Sequence, residues 1–82
     1  MDKINDLRNK IDQIDNNIMS LLNRRYEISD QIGTLKSNSN KEILDQKRED
    51  YVLNKTKEYS HFPQIELVYK SIMTQSKNIQ RK

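Results

Sequence analysis

Eighty-two residues, 33% hydrophobic and 33% charged, allow one domain with a core too small to stand alone. The absence of cysteine excludes a disulfide framework, thiol catalysis and a Cys-ligated metal, and no apolar run approaches the ~20 residues of a membrane span. A net charge of +3, with the two signs mixed along the chain, suits a small anionic ligand or nucleic acid and chooses neither.

The polar, acidic opening Met1-Asp2-Lys3-Ile4-Asn5-Asp6 is not a signal peptide. With one Gly and one Pro, strands and hairpins have almost no turn chemistry to use. The expected class is all-α, three helices in a single domain over residues 1–82.

The first helix is expected to be capped by Asp2 or Asn5 and to run to about Ser37. Ile4, Leu7, Ile11, Ile14, Ile18, Leu21, Ile28, Ile32 and Leu35 recur at steps of three and four, a heptad seam that a lone helix cannot bury. Some thirty-five residues make a rod of roughly 50 Å. A globule of this chain length should have a radius of gyration of only about 12 Å. The rod overshoots it, so a second copy of the chain is the expected cover and the protein an expected dimer.

Arg25 occupies the seam slot between Leu21 and Ile28. A charge there is costly unless something anionic meets it, whether a ligand or Glu27 or Asp30 of a partner chain. Arg8 and Lys36 adjoin seam residues Leu7 and Leu35, which is also how ordinary flanking charges sit.

Ser37-Asn38-Ser39-Asn40 is read as a turn, and the second helix as about Lys41 to Tyr59, with Ile43, Leu44, Tyr51, Val52 and Tyr59 apolar. Arg48 lies along that face, flanked by Asp45 and Glu49; an Asp45–Arg48 ion pair is the structural alternative to a binding role. Ser60-His61-Phe62-Pro63 forms the next turn, with His61 a solvated loop residue and Pro63 at the start of the third helix. That helix should reach Gln80, burying Ile65, Val68, Tyr69, Ile72, Met73 and Ile79. Ser76 and Gln80 continue the line of Tyr69 and Met73, either as a fraying end or as neutral donors in a site.

No conventional catalytic set, phosphate loop, dinucleotide fingerprint or metal cluster appears. Inward-facing cations with a hydroxyl and an amide compose a pocket for a small polyanion. The run Leu7-Arg8-x-x-Ile11-Asp12, Leu21-Leu22-x-x-Arg25, Ile32-Gly33-x-x-Lys36, Asp45-x-x-Arg48-Glu49 and Ile72-Met73-x-x-Ser76-x-x-x-Gln80 resembles the all-helical chorismate mutases. The order and spacing of the pieces, from Leu7 to Gln80, carry the resemblance.

The resemblance implies three helices per chain interlocked in a homodimer with two equivalent sites, and a cytoplasmic enzyme of phenylalanine and tyrosine biosynthesis without cofactor or metal. It implies that Arg8 of one chain and Arg25 of the other hold the two carboxylates of chorismate. Lys36 would reach a carboxylate and the ether oxygen, and Gln80 would donate to that oxygen. Asp45, Arg48 and Glu49 would surround the ring hydroxyl, Ser76 would help hold a carboxylate, and Ile32 and Met73 would form apolar walls. The family's turn before Asp45 often carries a Pro; Lys41-Glu42 stand there in this chain.

Arg25 and Lys36 are eleven positions apart, three turns and roughly 16 Å, a gap suited to a small ring acid between two long side chains. Arg8 is roughly 25 Å from Arg25 along the same rod, so only antiparallel pairing of two copies lets both meet one ligand. Two other functions compete: a parallel coiled-coil assembly module, which leaves two helices without a task, and a small nucleic-acid-binding helical domain, which the dispersal of the basic residues disfavours. No nucleic acid or membrane partner is expected.

Overall fold

A computed structural model describes residues 2–39 and 45–81. They form three helices, α1 (Lys3–Ser39), α2 (Gln46–Thr56) and α3 (Phe62–Gln80), with no strand among the described residues. No described helix is long and apolar enough to cross a membrane.

Asp2 rather than Asn5 caps α1, its Oδ1 accepting from the backbone N–H groups of Ile4 at 2.9 Å and Asn5 at 3.4 Å. The helix continues past the expected stop to Ser39. Ser and Asn disfavour a helix interior only by tenths of a kcal/mol, and extending an existing helix adds a hydrogen bond for each residue ordered. The rest of the expected turn, and the expected first turn of the second helix at 41–44, lie outside the described residues.

Asp45 is extended, with φ −126° and ψ 95°, so α2 cannot run through it from Lys41 as expected and begins at Gln46. Its other end is three residues short of Tyr59. The Thr56 hydroxyl donates to the Leu53 carbonyl at 2.6 Å, taking the acceptor that Lys57 would use in a continuing helix. Lys57 N–H turns to the Asn54 carbonyl at 3.2 Å, and Glu58 and Tyr59 repeat this tighter pattern. Pro63 stands in the first turn of α3, where its missing N–H costs nothing, and His61 is exposed just before it.

Both other helices pack on α3. Among the described residues the buried apolar set is Ile72 and Met73, joined by the polar Ser29, Thr56 and Ser76. The α1 seam is uncovered in the single chain: Ile4 is 60%, Leu7 57% and Ile14 55% exposed. The radius of gyration is 16.1 Å and the long dimension 58 Å, both set by α1.

Val68, Tyr51 and Tyr59, expected on buried faces, are exposed. Val68 borders an open apolar hollow of about 410 Å³ shared with Ile18, Leu21 and Ile72, continuous with the seam. Tyr51 is overlaid instead by cations, with Arg48 Cζ 5.3 Å and Lys55 Nζ 4.5 Å from its ring centroid. Hydrogen bonding between the Tyr51 phenol and Lys55 lowers the phenol's pKa and raises that of the amine.

Candidate active site

A cavity of about 490 Å³ opens where the C-terminal half of α1, the start of α2 and the end of α3 meet. Each helix contributes one face. From α1 come Arg25, Ile28, Ser29, Ile32 and Lys36; from the second helix and its cap Asp45, Arg48, Glu49 and Val52; from α3 Met73, Ser76, Lys77 and Gln80. The last two sets share the spacing i, i+3, i+4, i+7, the signature of one helical face. Every expected site residue lines this cavity except Arg8, which sits near the other end of α1.

Arg25 is partly buried, and its Nη1 donates to Ser76 Oγ, 51 positions away in the chain. The seam cation is therefore aimed along α3 by a neutral hydroxyl. Asp45 Oδ1 accepts the Arg48 backbone N–H at 3.0 Å, so this carboxylate caps α2, while the Arg48 guanidinium lies over Tyr51. Glu49 Oε2 is 3.2 Å from Lys77 Nζ, an ion pair that ties α2 to α3 across the cavity wall.

Gln80 owes its place to the chain's single glycine. A Cβ on Gly33 would stand 2.7 Å from both the Cα and the carbonyl oxygen of Gln80, so α1 and α3 touch backbone to backbone there. Gln80 Oε1 is buried with no hydrogen-bond partner among the described residues. This orphan acceptor beside the cavity calls for a polar partner that the described residues do not supply.

Gly33→Ala tests this contact with a clear sign. In an open helix the change would stabilise by about 1 kcal/mol. Here the obstructing atoms are backbone and cannot rotate away, so a net loss of about 1–2 kcal/mol is expected from overpacking. Thermal melts read the difference. A raised melting temperature would show that the helices do not approach this closely.

Ile28, Ser29, Val52 and Lys77 also line the cavity, beyond the site residues expected from the sequence. Their signal was helical spacing: Ser29 follows Arg25 by four, Val52 follows Arg48 by four and Lys77 follows Met73 by four. Four cations (Arg25, Lys36, Arg48, Lys77) face two carboxylates (Asp45, Glu49), leaving a formal surplus of +2 around Ile and Met walls. Such a cavity suits a small anion with an apolar body. No cluster of three or more His, Cys, Asp or Glu suited to a metal occurs among the described residues.

The fold defines an all-helical class of protein with a cationic cavity between its helices, and comparison with known proteins gives it a family. Residues 7–81 match the chorismate mutase type II family, and the chain belongs to it. It is 34% identical over 90 residues to a bifunctional chorismate mutase/prephenate dehydratase of Aquifex aeolicus (strain VF5), a match covering 100% of this chain and 25% of that protein. The chain thus spans about a quarter of that relative's length. A solved structure of a conserved hypothetical protein from Pyrococcus furiosus superposes with a TM-score of 0.87 at 38% identity, covering 99% of each chain.

Proposed function

We propose that this chain rearranges chorismate to prephenate, as one domain of a cytoplasmic homodimer serving phenylalanine and tyrosine biosynthesis. The observation that carries the reading is the convergence of Arg25, Lys36, Arg48 and Gln80, from all three helices, on one cavity of suitable charge.

The reaction is unimolecular: a C–O bond breaks as a C–C bond forms, and no nucleophile or obligatory proton transfer is needed. The protein's task is to hold a flexible dianion in its compact diaxial form, a proximity effect, and to meet negative charge growing on the ether oxygen. The forked guanidiniums of Arg25 and, from a second chain, Arg8 hold the carboxylates, with Ser76 assisting. Lys36 and Gln80 donate to the ether oxygen, an effect of a few kcal/mol per donor. Asp45, Arg48 and Glu49 lie toward the ring hydroxyl, and Ile32 and Met73 wall the apolar side.

A second copy also answers the exposed seam. It would cover Ile4 to Leu21 and the hollow at Val68, and would bring Arg8 to a cavity that lacks it. As a plain coiled-coil module the chain would have no use for this cavity. As a nucleic-acid binder it would need its cations on an open face rather than around Ile32 and Met73.

The direct test is loss of chorismate absorbance with added protein and no cofactor. First-order conversion to prephenate well above the spontaneous rate is expected. A rate equal to the spontaneous one would overturn the reading.

A further inference from the structure

We propose that Lys77 is a substrate-affinity determinant of this site, acting by neutralising Glu49 inside the cavity. The inference rests on the mutase reading and extends it to a residue that reading leaves without a role.

Glu49 is a carboxylate in a cavity that must accept a dianion. Its side chain is only 20% exposed, so water screens it poorly, and it lines the same space as Arg25 and Lys36. Uncompensated, it would repel both substrate carboxylates. Lys77 supplies the compensation from the opposite helix. Its Nζ lies 3.2 Å from Glu49 Oε2, and its own side chain is 25% exposed.

The geometry also differs from an ordinary surface pair. The two residues are on α2 and α3, not one turn apart on one helix, so the bond spans the cavity wall and fixes where the carboxylate points. The ion pair runs through Oε2, on the side of Glu49 that faces α3. Removing Lys77 lowers the formal surplus of the cavity from +2 to +1 and frees the Glu49 side chain to swing toward the substrate anions.

The test is a double-mutant cycle on the dimeric protein, read by steady-state kinetics with chorismate. Lys77→Met should raise KM about five- to tenfold, the loss falling on KM rather than on kcat. Lys77→Arg, which keeps the charge, should stay near wild type. In a Glu49→Gln background, Lys77→Met should change KM much less, because no carboxylate is left there to neutralise.

An unchanged KM with a lowered melting temperature would make the pair merely structural and overturn the inference. So would an equal rise in KM in both backgrounds, which would mean that Lys77 meets the substrate directly. Wild-type turnover separates the two levels. Its absence overturns the mutase reading and this inference together, whereas turnover with an insensitive KM overturns this inference alone.

Discussion

Homodimers of Arg8→Ala and of Arg25→Ala should each lose on the order of a hundredfold or more in kcat/KM, and a refolded mixture of the two should regain activity. Arg25 lines the cavity and is held by Ser76, whereas Arg8 stands seventeen positions away on the same straight helix. At about 1.5 Å per residue, no side chain bridges that distance. If each site takes Arg8 from the other chain, one site of a mixed dimer carries both defects and the other carries neither. Random pairing makes about half of the dimers mixed, so about a quarter of wild-type activity should return. Removing one partner of a desolvated charge pair costs about 2–5 kcal/mol, which keeps the parent variants well below that level. No recovery, with mixed dimers demonstrated by mass spectrometry, would sink the shared site.

Gln80→Glu should slow the reaction at neutral pH by about 10²–10³-fold and recover as the pH falls. The wild-type amide donates at any ordinary pH, so the wild-type rate should vary little between about pH 5 and 8, where carboxylates are normally ionised. The introduced carboxylate would face an oxygen that grows more negative in the transition state, and only its protonated form donates. Burial of the side-chain oxygen at this position and proximity to that oxygen both disfavour the charged form and raise its pKa. The acid limb of the variant should therefore rise within the measurable range. Identical flat profiles for wild type and variant would show that Gln80 does not touch the reacting oxygen, and the fraying end would be the better description of this residue.

The two variants probe features of different origin. The seam, the odd cation within it and the three-helix order were legible in the sequence because helical periodicity is a local property. Residues three and four apart share a face whatever the rest of the chain does. The same periodicity grouped Asp45 with Arg48 and Glu49, and Met73 with Ser76 and Gln80. It failed where a local competition was decided by a single hydrogen bond. The Thr56 hydroxyl took the Leu53 carbonyl and ended α2 before Tyr59, and the Asp45 side chain capped α2 at a position expected inside the helix. Tyr51 went astray for a related reason, since its ring can serve cations as well as a core.

By itself the sequence determined an all-helical chain with one helix too long and too apolar on one side to be satisfied alone, and a set of cations without a conventional catalytic set. Only the tertiary structure decided which side chains meet across helices. Arg25 to Ser76, Glu49 to Lys77 and Gly33 against Gln80 join positions 51, 28 and 47 apart in the chain. Those pairings depend on how α3 is placed against α1 and α2, a matter of side-chain volume and backbone clearance that no helical period encodes. Gly33 shows this most plainly: in the sequence it is a weak point in a long helix, and in the fold it is the clearance that lets Gln80 reach the site.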